Sequence, residues 1–158
     1  MRDTLVSFTV AKLAKEKGFN TPCIYYYNKE GELPDRYESS GSSTDTDVPI
    51  YLEEFEENFN SKGWVGDVFC SAPTQSLLAK WLRENYNKYI QCHPVYRDEK
   101  TQWEYVIFFL DDPLLSGTDG FKNRMSLLNH SYYWDTYEEA LEKGLYQALK
   151  LIPNDSKN

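Results

Sequence analysis

Three stretches of the chain repeat apolar side chains at the i, i+3, i+4 spacing of a helix with one buried face. The first runs from Ser7 to Lys17, with Val10, Leu13 and Ala14 on a common stripe and Ser7 placed to accept the free N–H groups at its start. Gly18 follows as the left-handed residue just past the helix end, and Phe19 is positioned to fold back onto the last turn. The second, from Ser71 to Asn85, gathers Leu77, Leu78, Trp81 and Leu82 opposite Gln75, Lys80, Arg83 and Glu84. Ser71 is expected to cap it, with Pro73 in the first turn where a missing donor does no harm. The third starts at Thr136, whose spacing to Glu139 is that of a capping box, and turns Ala140, Leu141, Leu145, Ala148, Leu149 and Ile152 inward.

Between these helices the apolar runs become short, aromatic and β-prone. Cys23 to Tyr27 reads as a strand closed by a turn at Asn28–Gly31, with a second strand beginning near Glu32. Lys88–Tyr96 and Gln102–Leu110 flank the polar residues Arg97–Thr101 and predict an antiparallel hairpin. Val106–Leu110 is apolar on both faces, as a central strand requires. Weaker patterns predict a helix over Ile50–Phe59 ended by Gly63, a strand over Trp64–Phe69, and one more over Met125–Trp134. Residues 34–49, rich in Ser, Thr, Asp and Gly, have no apolar side to bury and predict a mobile loop; 111–124 reads as another loop and 153–158 as a polar tail. The expected fold class is α+β: one compact domain over residues 1–152, with an antiparallel aromatic-rich sheet packed by three helices in the order α-β-β-α-β-β-(β)-α.

Composition sharpens this picture in three places. Of 158 residues, 16% are aromatic, with 13 Tyr, 8 Phe and 4 Trp, so rings carry packing that aliphatic side chains usually supply. The three cysteines, Cys23, Cys70 and Cys92, are an odd set without a short paired spacing, which argues against a disulfide framework and a four-cysteine zinc site and fits a reducing cytoplasm. A net charge of −8 repels the phosphodiester backbone, so duplex nucleic acid is not an expected partner. No apolar run has the length of a signal core or a membrane span, and no membrane partner is expected.

The segments Ala11-Lys-Leu-Ala-Lys-Glu-Lys-Gly-Phe-Asn20, Ala72-Pro-Thr-Gln-Ser-Leu-Leu-Ala-Lys-Trp-Leu-Arg-Glu84 and Tyr137-Glu-Glu-Ala-Leu-Glu-Lys-Gly-Leu145, with Ala148-Leu-Lys-Leu-Ile152, carry a resemblance. They resemble a family of small proteins encoded by phages, prophages and other mobile elements of Bacteroides-type bacteria. The likeness covers the three helices, about a quarter of the chain. It implies a bacterial cytoplasmic setting during infection or lysogeny; the family has no established activity, so it supplies no functional residue.

Candidate chemistry has to be weighed residue by residue. Cys92 and His93 are adjacent on a predicted strand, so their side chains leave opposite faces and cannot form a thiol–imidazole pair. Only His93 and His130 are available for a metal, without recognisable ligand spacing, and Asp111-Asp112 before Pro113 reads as a strand end; no catalytic residue, metal or cofactor is expected. The acidic run Asp45–Glu57 fits either solvated surface or mimicry of nucleic-acid charge toward a host protein. Tyr96, Arg97, Trp103, Tyr105, Lys122, Arg124 and Tyr132 fall on the hairpin and the segments after it. Aromatic faces stack on bases and cations neutralise phosphates, so these seven residues are the candidate pocket for a small nucleotide, although the same residues also suit plain strand packing. The reading is therefore a non-catalytic binding protein for a nucleotide-type signal of host defence, or alternatively an acidic module that binds a host protein. Aromatic edge strands point to a homodimer.

Overall fold

In the computed structural model, which describes residues 3–33, 57–61, 68–109, 127–128 and 132–153, the first helix, α1 (Phe8–Glu16), is closed at both ends by its own sequence. The Ser7 side chain accepts from the Val10 N–H at 3.4 Å. At the other end Gly18 takes φ +87, its N–H reaches the Lys15 carbonyl at 3.0 Å, and the Phe19 N–H reaches back to Ala14 at 2.9 Å. That pair of bonds is the Schellman closure expected of a glycine followed by an apolar residue. Phe19 is thereby turned into the core, where its burial stabilises the fold by about 1.5–3 kcal/mol.

The chain then enters β1 (Tyr25–Tyr27), which pairs antiparallel with β2 (Cys70–Ala72), setting Tyr25 opposite Ala72 and Tyr27 opposite Cys70. A second strand near Glu32 was the expectation; the described residues after β1 instead close a turn. Asn28 and Glu32 bond each other through main chain at 2.9 Å and through the Asn28 side chain at 2.8 Å. The ladder of β1 is filled from Cys70–Ala72, whose small, wholly buried side chains fit a strand inside the body. Just before β1, Cys23 exchanges two main-chain hydrogen bonds with Glu57, at 2.8 and 2.9 Å. The helix expected over Ile50–Phe59 therefore does not extend through Glu57; residues 50–56, the loop 34–49, Trp64–Asp67 and the loop 111–124 lie outside the described residues. Val68 and Phe69 precede the strand rather than belong to it.

Helix α2 (Gln75–Tyr86) starts at Thr74, not at Ser71. Pro73 holds the residue before it extended and carries no N–H of its own, so the first residue free to cap is Thr74, which accepts from Leu77 at 3.3 Å. Ser71 sits in β2, fully buried, with a hydroxyl that finds no hydrogen-bond partner among the described residues. Asn87 closes α2 in the left-handed conformation that asparagine tolerates, at φ 49. Leu78, Trp81 and Leu82 are buried as the pattern required. Gln75, expected on the polar side, is buried too, because its amide donates to the Glu138 carbonyl at 3.0 Å and to the Glu142 carboxylate at 3.2 Å on the neighbouring helix.

β3 (Lys88–Arg97) and β4 (Lys100–Phe109) form the predicted hairpin, but its turn is two residues rather than five. Asp98 at φ 47 and Glu99 at φ 63 both lie in the left-handed region, the geometry of the type I′ turn that matches strand twist. Glutamate is a poor choice there: the side chain adds a clash that glycine lacks. Glu99→Gly is expected to stabilise the protein by about 0.5–1 kcal/mol after the greater freedom of glycine in the unfolded chain is subtracted. Urea unfolding followed by circular dichroism reads this out, and a loss of stability would show that the turn is not under local strain.

β5 (Leu127–Leu128) adds to β4 opposite Ile107 and Val106, so β4 is central as its apolar pattern demanded. Of the longer strand expected over Met125–Trp134, the remaining described part is a bridge between Trp134 and Trp103, at 2.8 and 2.9 Å. The result is two small antiparallel sheets, β1-β2 and β3-β4-β5, in place of the one sheet expected. Past β2 the chain meets the N-terminal segment, where Val6 donates to the Pro73 carbonyl at 2.9 Å and Leu5 bridges Thr74. Helix α3 (Tyr137–Lys150) begins at Thr136, which accepts from Glu139 at 3.2 Å, and packs on α1, α2, β3 and β4. Its buried row Ala140, Leu141, Gly144, Leu145, Ala148 and Leu149 makes it the centre of this α+β body.

Candidate binding groove

The N-terminal strap, the start of β1 and the exposed side of α2 leave an open groove enclosing about 500 Å³. One wall is the strap residue Leu5 with Pro22, Cys23, Ile24 and Tyr25; the other is Ala72, Pro73 and Thr74 followed by Ser76, Leu77, Lys80 and Arg83 of α2. Local rules explain each placement. Leu77, Lys80 and Arg83 lie three residues apart and so share one side of a helix. Tyr25 and Ala72 are register partners across the small sheet, which brings an aromatic ring to the same side as the helix start. Leu5 is fixed by its bridge to Thr74 and by the Gln75 N–H, which donates to the Thr4 carbonyl at 2.8 Å.

The two cations are loosely engaged. Lys80 meets Glu84 at 4.0 Å, with both side chains more than half exposed, a pairing that contributes very little in water. Arg83 lies 5.8 Å from the centre of the Tyr89 ring, near the outer limit of a cation–π contact. Both are free to turn toward an anion at that end of the groove. The hydroxyls are already committed: Thr74 caps α2 and Ser76 bonds Asp3. Tyr25 is 44% exposed at the rim. The groove thus offers apolar walls, an accessible aromatic ring and two cations at one end.

The seven residues expected to form a pocket are distributed differently. Tyr105 is 3% exposed and lies 5.2 Å from the Trp134 ring, so it belongs to the core. Trp103 is half-buried and meets Tyr137 edge-on at 5.3 Å. Arg97 stacks on Tyr133 at 4.6 Å. Tyr96 and Tyr132 are 74% and 64% exposed, whereas Lys122 and Arg124 lie outside the described residues. Next to this cluster Lys100 reaches Asp135 at 2.9 Å; hydrogen bonds from Lys100 and Gln102, then the ammonium charge, hold the Asp135 carboxyl below its usual range. The structure brings Arg97, Tyr133, Lys100 and Asp135 together on one side of the hairpin.

Cys23 and Cys70 are buried and Cys92 is half-buried. Burial pushes the thiols of Cys70 and Cys92 up to about 11, opposed at Cys70 by the nearby Lys15 charge. Both are protonated at neutral pH and therefore poor nucleophiles. Cys92 stands opposite Tyr105 and His93 opposite Glu104 in the register, on opposite faces of β3. Among the described residues no three His, Cys, Asp or Glu side chains are grouped to hold a metal ion, and no helix is long and apolar enough to cross a membrane.

The sequence did contain a signal for the groove: Lys80 and Arg83, three residues apart on the exposed side of α2. Tyr25 carried none, because a strand residue shows neither which strand it pairs with nor what faces it. Comparison with protein-family models, with curated proteins and with solved structures gave no match.

Proposed function

We propose that the protein is a non-catalytic binding protein that holds a small nucleotide-type ligand in the groove between β1 and α2. The observation that carries this reading is the pairing, on one open groove, of the exposed Tyr25 ring with two weakly engaged cations, Lys80 and Arg83. A base stacked on a tyrosine gains about 1–3 kcal/mol whatever its identity. A phosphate that meets a guanidinium and an ammonium gains charge-assisted hydrogen bonds, while the apolar wall of Leu5, Ile24 and Leu77 excludes water from them. In the mobile-element setting implied by the family resemblance, such binding in the host cytoplasm withholds a signal from a defence system.

Calorimetry against mononucleotides, cyclic nucleotides and ADP-ribose-type compounds tests this, with the recovered ligand checked by mass. The expected result is saturable heat with at least one compound, recovered unchanged, and an affinity that falls about tenfold or more, ~1.4 kcal/mol, in each of Lys80→Ala and Arg83→Ala. Arg97→Ala serves as the comparison: a loss there with none at Arg83 assigns the ligand to the hairpin and removes the groove from the proposal. No heat with any compound in a folded sample rejects nucleotide binding, and turnover of the ligand rejects the non-catalytic reading.

A further inference from the structure

Helix α1 lacks half of its own start. Ser7 caps it, but the position three residues on, where a glutamate would reach back to the N–H of the cap, is Val10. The missing acceptor comes from α3: the Ser7 N–H donates to Glu142 Oε1 at 2.9 Å. The other oxygen of the same carboxylate, Oε2, takes the side-chain amide of Gln75, the first residue of α2, at 3.2 Å. One half-buried carboxylate thus sits at the starts of two helices, whose positive ends both favour its charge. Ser7 follows the strap residue Leu5 by two positions, and Gln75 precedes Leu77 by two, so Glu142 ties together two opposite walls of the groove without lining it. A further strap contact lies beside it. The Tyr27 hydroxyl donates to the Val6 carbonyl at 2.7 Å; burial first, then the charge of Glu142 and Cys70, push that phenol up and keep it a donor.

We propose that Glu142 is the positioning residue of the groove, latching the strap wall to the α2 wall from outside the site. Its effect on affinity rests on reading that groove as the binding site, whereas the latch is a property of the free protein. Two main-chain bonds cross from the strap to the start of α2: Val6 N–H to the Pro73 carbonyl at 2.9 Å, and Gln75 N–H to the Thr4 carbonyl at 2.8 Å. A segment held by so few bonds opens locally, ahead of the body, when one of its anchors is removed. Without the carboxylate, the Ser7 N–H loses its acceptor and the buried Gln75 side chain keeps only the Glu138 carbonyl. The strap and the helix start can then part. Leu5 and Leu77 move apart with them, and the apolar wall that excludes water from a bound phosphate is breached.

Hydrogen exchange of the free protein, followed amide by amide, reads the latch. The main-chain amides of Val6 and Gln75 are bonded to Pro73 and Thr4, not to Glu142. In Glu142→Ala they are expected to exchange about tenfold faster, while those of Leu145 and Leu149, in the buried row of α3, keep their rates. Glu142→Gln retains one acceptor oxygen and is expected to fall between Glu142→Ala and the unmodified chain. Glu139→Gln removes a charge from an exposed position of the same helix and is expected to change neither pair. The proposal is overturned if Val6 and Gln75 stay as slow as in the unmodified chain. It is equally overturned if Leu145 and Leu149 speed up as much, since Glu142 then only adds to the stability of the whole fold. Calorimetry with AMP as the probe reads the consequence for binding, expected to be about fivefold weaker in Glu142→Ala; an unchanged affinity overturns the positioning role. No heat from the unmodified chain is a failure at the groove and not at Glu142, and the exchange rates then decide the latch alone.

Discussion

Trp81→Ala is expected to lower the unfolding free energy by about 3–5 kcal/mol, the range for removing a large aromatic side chain from a core. Trp81 is 4% exposed and meets two rings edge-on, Phe19 at 5.4 Å and Tyr86 at 5.1 Å. Those contacts join α2 to the end of α1: Phe19 is the residue that closes α1, Tyr86 ends α2, and the Tyr86 hydroxyl donates to the Lys17 carbonyl at 3.1 Å. Deleting the indole leaves a cavity that neither ring can fill without giving up its own anchor, so relaxation is limited and the cost falls toward the upper end. Trp81→Phe keeps one ring in the cluster and is expected to cost less than half as much. Chemical unfolding followed by far-ultraviolet circular dichroism measures both, independent of the lost fluorophore. A Trp81→Ala loss below about 1 kcal/mol, the size of a surface change, would show that this cluster is not part of the core.

Gly144→Ala sets two effects of opposite sign against each other. Alanine is the better helix former by about 0.8–1 kcal/mol, and Gly144 sits in the middle of α3, so propensity alone predicts a more stable protein. Space reverses the sign. A methyl group there would lie 2.6 Å from the Ile90 Cγ2 atom and 3.3 Å from the Tyr105 ring. Ile90 is β-branched and stiff, and Tyr105 is held against Trp134, so neither can yield cheaply. Overpacking costs typically about 1–3 kcal/mol; with the propensity gain subtracted, the net expected loss is up to about 2 kcal/mol, toward the upper end because the 2.6 Å approach is so close. Ile90→Ala removes the clashing methyl, so the double variant is expected to be more stable than the sum of the two single losses allows. A stabilised Gly144→Ala, or strict additivity with Ile90→Ala, would mean that α3 rides farther from the sheet.

Much of the body was legible because its signals are local. Ser7, Gly18 and Phe19 define α1 through contacts no more than five residues apart, and Thr136 starts α3 in the same way. The apolar stripes of α2 and α3 name their own buried faces, since helical periodicity does not depend on what lies opposite. The hairpin was visible from two β-prone runs, though not the length of its turn: Asp98 and Glu99 adopt left-handed geometry without the glycine that normally announces it. The start of α2 was misplaced for a related reason. Ser71 has the right chemistry for a cap, and only its pairing with Tyr26 in the small sheet commits it elsewhere.

The candidate site was far less legible. Seven aromatic and cationic residues could be proposed as a pocket, but composition does not separate Tyr105, sealed under Trp134, from Tyr96, open to water. The groove depends on β1 pairing with Cys70–Ala72, more than forty positions along the chain, and on the strap at Thr4–Val6 lying across the start of α2. Gln75 likewise is a polar residue by pattern and a buried one in fact, because Glu138 and Glu142 of another helix supply its partners. By itself, then, the sequence determined the three helices, most of their caps, the long hairpin and the α+β class, each written in side-chain periodicity or in bonds between near neighbours. Tertiary structure decided the division into two sheets, the closeness of α3 at Gly144 and the company of Tyr25, Lys80 and Arg83, because each is a meeting of distant segments whose side chains carry no mark of their partner.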